Sequence, residues 1–260
     1  MSAPATYAPS PGAAPLRRML RAQTGLEIRM VLRNGEQLLL TIVIPVLVLV
    51  VFGSLELTDL GDREARLAFL VPGVLALAVL STAFTGLAIG TGFERRYGAL
   101  KRLGASPLPR AALLAAKAMA VLAVEAMQIT LLCAVALMLG WDAPSGVTPW
   151  LSALLLVLAG TAAFSSLGLL MAGTLRAEAT LAAANLVYLL LLVSGGIAVP
   201  LRDFPTGLRP LLELLPSRRT SRSPSASAPD GSGLPVRHLL VLLAWTAVGS
   251  VLAARTFRWE

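Results

Sequence analysis

Long apolar runs separated by short charged segments dominate the chain. A transmembrane helix needs about twenty mostly apolar residues to cross roughly 30 Å of hydrocarbon with every backbone group hydrogen-bonded. Six runs meet this requirement, at residues 38–55, 67–93, 118–139, 150–175, 179–201 and 238–254. The pattern therefore predicts an all-α polytopic membrane protein with six transmembrane helices, in a domain covering residues 38–260.

Residues 16–37 have a different pattern, in which apolar and cationic positions alternate with a helical period. On a helix the apolar side chains fall within an arc of about 140°, with the arginines opposite. The apolar positions are Leu16, Met19, Leu20, Leu26, Met30 and Val31, and the cationic ones are Arg17, Arg18, Arg21, Arg29 and Arg33. Glu27 lies on the apolar arc and does not fit. We expect an amphipathic connecting helix in the membrane interface. The pattern leaves open whether it also contacts a partner.

The composition supports a membrane protein and excludes several other classes. Hydrophobic residues make up 56% of the chain and charged residues 14%, whereas soluble proteins carry roughly 25% charged residues. This excludes a cytosolic enzyme and a disordered chain, and the single cysteine, Cys133, excludes a disulfide scaffold. The net charge of +8 is typical of cytoplasmic loops beside anionic lipid headgroups, so we expect membrane lipids and no nucleic acid as partners.

The distribution of Lys and Arg predicts the orientation of the chain. Fourteen of the 22 cations fall on one side of the predicted spans, six of them within residues 94–117. The other side has Arg63, Arg66 and six cations in a long loop, residues 202–237. Because cations concentrate in cytoplasmic segments, both termini are expected to be cytoplasmic. Residues 1–15, rich in Pro, Ala and Ser, are expected to form a disordered cytoplasmic tail.

Chemistry-bearing motifs are scarce. The chain has no GxxxxGK[ST] phosphate loop and only one histidine, His238, so we predict no catalytic, cofactor-binding or metal residues. Glu125 is the one acid well inside a predicted span, and Gln128 lies three residues later on the same helical face. This intramembrane polar site allows two interpretations. It either couples proton transport or, as we favour, makes hydrogen bonds with Gln128 or a neighbouring helix.

A basic segment, ERRYGALKRLGASPLPR at residues 94–110, lies between the second and third predicted spans. Its pattern predicts a short interfacial helix from about Arg95 to Leu103, ended by Gly104 and the prolines that follow. The segment either fixes the topology alone or docks a cytoplasmic partner. We refer to residues 94–110 as the coupling segment.

In several ordered features the sequence resembles the membrane subunits of type-2 ABC transporters, including drug-export permeases such as that of the daunorubicin exporter. These features are the basic amphipathic segment before a span with a central proline (Pro45), FLVPG (69–73), the coupling segment, Lys117 and Gln128 about the third span, and a terminal FRW (257–259). The resemblance implies a permease in a bacterial-type cell membrane that exports a hydrophobic or amphipathic substrate, such as a drug, a lipid or a lipid-linked glycan.

The resemblance also implies partners and coupling residues. The permease pairs with a second copy or a related permease subunit, and with separate ABC ATPase subunits that bind ATP and Mg²⁺. The residues expected to couple to the ATPase are Glu94, Arg95, Gly98, Leu100, Leu103 and Pro107. Glu94 and the cations would pair with the ATPase, and Leu100 and Leu103 would fill its groove. Two alternatives are a secondary transporter coupled to protons through Glu125 and a structural membrane scaffold.

One stretch departs from the pattern of the family. Residues 217–231 of the loop 202–237 read SRRTSRSPSASAPDG, which is polar, cationic and low in complexity. We interpret it as a local frame-shifted reading or a divergent insertion. Resequencing the gene distinguishes the two.

Overall fold

A computed structural model describes residues 12–54, 62–194 and 236–256, and within these ranges the regular structure is entirely helical. We number the α-helices along the chain. They are α1 (Leu16–Arg33), α2 (Gly35–Leu38), α3 (Ile44–Ser54), α4 (Arg63–Val79), α5 (Leu87–Arg96), α6 (Ala99–Gly104), α7 (Arg110–Met138), α8 (Val147–Thr174), α9 (Ala177–Ser194) and α10 (Val236–Thr256). Two π-helical segments, Leu39–Val43 and Leu80–Gly86, join α2 to α3 and α4 to α5. The chain is therefore all-α over its described part, as predicted.

Four helices of the described part are long and apolar enough to cross a membrane. They are Arg63–Arg96, Ala111–Met138, Val147–Thr174 and Val236–Thr256, which correspond to the second, third, fourth and sixth predicted spans. The first and fifth predicted spans contain shorter apolar helices, Thr41–Ser54 and Ala177–Leu191. Part of the fifth run, residues 195–201, lies outside the described residues, as do most of the loop 202–237 and all of 217–231. The count of six spans stays a prediction.

The helix formed by α4, the second π-helical segment and α5 lies at the centre of the fold. In its most apolar 18-residue stretch 78% of the residues are buried, against 17% in that of α10. Leu80 and Phe84 from the π-helical segment pack with Val121 of α7 and Phe164 of α8 in the largest hydrophobic cluster. A Cβ atom on Gly168 of α8 would lie 2.9 Å from the Phe84 carbonyl oxygen. This glycine therefore permits the close approach of α8 to the central helix.

The first helix packs on α7 through a narrow polar side. Its buried residues are Gln23, Thr24 and Glu27, whereas apolar Leu26 and Met30 are 47% and 42% exposed. The five arginines of α1 are also exposed. The helix therefore has a buried polar side, an exposed apolar side and an exposed cationic side. Its exposed leucine and methionine are available to lipid, as expected of an interfacial helix.

The coupling segment is broken where a continuous helix was predicted. The central helix runs on to Arg96, and Gly98 then adopts a left-handed conformation, with φ of +69°, before α6 begins. Glycine takes positive φ without steric cost and commonly ends helices in this way. The predicted single helix from Arg95 to Leu103 is therefore wrong. Arg95 ends the central helix, and Leu103 belongs to a separate short one.

Candidate functional site

A buried charge cluster joins α1, α5 and α7 beside the coupling segment. The Lys117 ammonium lies 3.0 Å from Glu27 Oε2 and 2.8 and 2.6 Å from the two carboxylate oxygens of Glu94. Gln23 Nε2 donates to Glu27 Oε1 at 2.9 Å. We call these four residues the Lys117 cluster. It links three helices through side chains that lie 90 and 23 positions from Lys117 along the sequence.

Burial makes the Lys117 cluster energetically important. The Lys117 side chain is 3% exposed, Glu27 8% and Glu94 19%. A charge removed from water must be paired and hydrogen-bonded to be tolerated, and breaking such a pair costs about 3–5 kcal/mol. The cluster therefore fixes α1 against the end of the central helix. It also explains why an acidic residue, Glu27, lies among the apolar positions of α1. Its carboxylate faces the Lys117 ammonium inside the protein.

The six predicted coupling residues have different surroundings, and Arg95 contacts the end of α8 through the Leu175 carbonyl oxygen. Glu94 is held inward by Lys117, and Leu100 is only 1% exposed, so both contribute to the interior of this chain. Gly98 forms the turn, and Leu103 and Pro107 line a groove of about 350 Å³. The other residues along this groove are Ala14, Met19, Ala22, Gln23, Leu26, Ser106 and Leu108. The groove thus combines the coupling segment with the first turns of α1. Coupling to an ATPase stays a prediction for all six residues.

Two arginines at the end of α5 bind the turn after α8 and the first turn of α9. Arg95 donates from Nη2 to the carbonyl oxygen of Leu175, and Arg96 forms an ion pair with Glu178. The guanidinium of Arg96 also lies 6.0 Å from the ring centroid of exposed Tyr97. The coupling segment is therefore attached to the end of α8 and the start of α9 as well as to α1 and α7. Sequence reasoning did not identify Arg96 or Glu178, since their partnership depends on tertiary packing across 82 residues.

Gln128 satisfies a backbone group left open by a proline. Pro45 has no N–H, so it cannot donate to the carbonyl four residues earlier, at Thr41. Gln128 donates from Nε2 to this carbonyl and accepts from the Thr82 hydroxyl through Oε1 at 2.9 Å. One fully buried amide therefore joins both π-helical regions to α7. A neighbouring helix thus satisfies the group that a proline frees within an apolar helix.

Glu125 bonds to a neighbouring helix and not to Gln128. Thr161 of α8 donates from its hydroxyl to Glu125 Oε2 at 2.5 Å, and Glu125 is 1% exposed. Its other oxygen, Oε1, has no hydrogen-bond partner among the described residues. This arrangement agrees with the favoured interpretation, in which Glu125 packs inward between helices.

We expect Gln128→Met to destabilise the fold. Methionine has a similar shape but leaves the Thr41 carbonyl and the Thr82 hydroxyl without a partner where no water replaces it, at a cost of roughly 1–3 kcal/mol. The detergent-purified protein is heated to a series of temperatures, and size-exclusion chromatography measures the monodisperse fraction that remains. We expect a lower midpoint temperature for the variant than for the unmodified protein. Met127→Leu, at an exposed neighbouring position, is the matched control. Equal midpoints for the two variants would contradict the proposed link.

The comparisons with known proteins agree on one family. Residues 20–221 match the family described as "ABC-2 type transporter". The chain is also similar to a protein of Bacillus subtilis (strain 168) named "Putative transport permease YvfS", with 23% identity over 235 residues, covering 90% of this chain and 95% of the relative. In the described ranges no three His, Cys, Asp or Glu side chains lie close enough together to hold a metal ion.

Proposed function

The chain belongs to the ABC-2 type transporter family, and from this premise we propose that it is a permease subunit driven through its coupling segment by a separate ABC ATPase. Membership of the family makes it a membrane-embedded transport subunit and not an enzyme, and implies an ABC ATPase partner. The proposed direction is outward across the cytoplasmic membrane. The proposed substrate class is a hydrophobic or amphipathic molecule, such as a drug, a lipid or a lipid-linked glycan.

The proposal rests on how firmly the coupling segment is attached to the spans. Its first residues end the central helix. Glu94 binds α7, Arg95 the turn after α8 and Arg96 the first turn of α9. A force applied to this segment therefore reaches several helices directly. ATP can shift the conformational equilibrium of the permease only by the difference in its binding free energy between the two states. A rigid attachment transmits this difference to the spans, whereas a flexible one would lose it.

The surface offered to the ATPase is the exposed side of the coupling segment. Tyr97 is 67% exposed, and Lys101, Arg102 and Pro107 are exposed as well. We propose that Lys101 and Arg102 pair with acidic groups of the ATPase. Leu103, at the groove beside α1, packs against the ATPase. Leu100 faces the interior and supports the segment from behind.

Topology and assembly complete the proposal. Six spans with both termini in the cytoplasm place the coupling segment on the side where ATP is available, in agreement with the distribution of cations. Two such permease subunits, identical or related, would form the complete pathway together with two ATPases. The two ATPases would bind ATP and Mg²⁺.

Copurification and transport test the proposal together. We expect tagged protein to copurify with an ATPase subunit. Leu103→Asp should lower both copurification and ATP-dependent transport at least tenfold, because it places a carboxylate in the apolar contact. The control is Leu103→Met, which conserves the volume and should leave both unchanged. Membrane insertion of both variants is checked by cell fractionation.

Normal transport by Leu103→Asp would contradict a docking role of this residue. Proton-driven transport without an ATPase would favour the alternative function, a secondary transporter coupled to protons through Glu125.

A further inference from the structure

A cavity of about 280 Å³ lies between α1, the central helix and α7. All three charged members of the Lys117 cluster line it, as do Met30 and Tyr97. Because Met30 and Tyr97 are exposed, the cavity reaches the molecular surface. Its volume approaches the range of small-molecule sites, about 300–1,000 Å³.

The charges in this cavity do not balance. Glu27 and Glu94 supply two carboxylates, and Lys117 supplies the single ammonium that both of them share. No other Lys, Arg or His contributes to the described lining. Each carboxylate oxygen makes one hydrogen bond within the cluster and has the capacity to accept another. With its carboxylates ionised, the cluster carries one negative charge in excess and would be stabilised by an additional cation.

A buried hydroxyl group in the lining of the same cavity is a second indication of a ligand. Thr91 is 2% exposed and lines the cavity, yet its hydroxyl oxygen has no hydrogen-bond partner among the described residues. A buried polar group without a partner is costly, so a native structure normally supplies one. Next to it, Gly90 also lines the cavity, and a Cβ atom at this position would meet nothing within 4 Å. The site has open space beside its polar groups.

The remaining wall is largely apolar. Leu87, Phe93, Val121 and Val124 line it, together with the glycines and Met30. Four uncharged polar residues, Asn34, Gln37, Thr41 and Thr82, also belong to the lining. An apolar pocket with a few convergent polar groups is the general form of a small-molecule site. A ligand that suits this one needs an apolar body for the wall and a positive group for the carboxylates.

We propose that this cavity binds an amphipathic organic cation, with the cationic group beside Glu94 and Glu27 and the apolar part against Phe93 and the α7 valines. The inference rests on the proposed function, because it identifies such cations as the substrate class of the permease. Aromatic Phe93 and Tyr97 on the lining add a favourable surface for cations of this type. The excess negative charge disfavours binding of an anion of equal size.

Binding of a matched pair of hydrophobic ions tests the charge preference. Tetraphenylphosphonium and tetraphenylborate have nearly the same size and shape with opposite charges, and neither titrates. We measure equilibrium binding of each to the full chain in phosphatidylcholine nanodiscs, with empty nanodiscs subtracted. The expected result is saturable binding of the phosphonium, at least tenfold tighter than any binding of the borate. Equal binding of the two ions, or no saturable binding of the phosphonium, overturns the proposal.

Two variants assign the binding to this cavity. Glu94→Gln leaves one carboxylate for one ammonium and should weaken phosphonium binding at least tenfold. Gly90→Leu fills the open space without changing charge and should abolish saturable binding, whereas Gly25→Leu, on α1 outside the cavity and also free of neighbours within 4 Å, should bind like the unmodified protein. Unchanged binding by Glu94→Gln or Gly90→Leu contradicts the assigned site.

The binding assay is independent of the ATPase partner. It uses the permease alone, so loss of copurification with an ATPase removes the proposed function without affecting phosphonium binding. Conversely, an ATP-driven permease that fails to bind the phosphonium retains the proposed function and loses only the cationic substrate class. The two failures are therefore distinguishable.

Discussion

Lys117→Met is expected to be the most destabilising single substitution described. It leaves the carboxylates of Glu27 and Glu94 together in the interior with no opposing charge. Removing one partner of a buried ion pair costs about 3–5 kcal/mol, a large part of the stability of a typical protein. We expect a strongly reduced yield of monodisperse protein and a clearly lower thermal midpoint in detergent.

Two controls separate this effect from the loss of any surface charge. Lys101→Met removes an exposed cation from α6 and should change the midpoint little, since exposed ion pairs contribute roughly 0–1 kcal/mol. The triple variant Glu27→Gln, Glu94→Gln, Lys117→Met removes all three charges and should recover most of the stability lost by Lys117→Met. If Lys117→Met and Lys101→Met behave alike, the Lys117 cluster does not stabilise the fold.

Gly98→Val is expected to have the largest effect on transport while leaving the protein inserted. Gly98 has φ of +69° with open space around it, so the obstacle to a side chain is backbone strain and not a clash. A β-branched residue is a marked outlier in this conformation. We expect the turn between α5 and α6 to rearrange and ATP-dependent transport to fall at least tenfold, while the partner ATPase continues to hydrolyse ATP. Transport and ATP hydrolysis measured in the same proteoliposomes show the difference.

Matched variants attribute this effect to the left-handed turn. Asparagine tolerates positive φ better than other residues with side chains, so Gly98→Asn should retain most of the transport. Gly104→Val places the same side chain at a glycine that also has open space and no positive φ, and it should be milder. Transport by Gly98→Val at the level of Gly98→Asn would show that the turn is not required.

Much of the helical pattern was predictable because it depends on local periodicity. The first helix was expected over residues 16–37 and forms over Leu16–Arg33, and four predicted spans correspond to long apolar helices. The break after Arg96 was missed. Gly98 gave a signal for it, but whether a glycine within a basic stretch continues a helix or ends it depends on what the flanking turns contact.

The polar contacts were harder to predict because they join distant parts of the chain. Glu27 was identified as a misfit and Lys117 as a feature of the resemblance, yet nothing in a single sequence pairs residues 90 positions apart. The same holds for Gln128, which serves a carbonyl 87 residues away. The carbonyl freed by Pro45 needs a donor because proline has no N–H, but only the packed helices identify that donor.

The length of the central helix has a mechanical consequence. The 34 residues of Arg63–Arg96 extend over about 50 Å at roughly 1.5 Å per residue, well beyond the roughly 30 Å of hydrocarbon in a bilayer. At least one end of this helix must therefore project past the acyl chains, and Glu94 and Arg95 lie at one of its two ends. Tilting such a helix by about 10° around its midpoint moves each tip by roughly 4 Å, given its length. A small rotation of this helix in the membrane thus produces a displacement of roughly 4 Å at the coupling segment, which lies at its end.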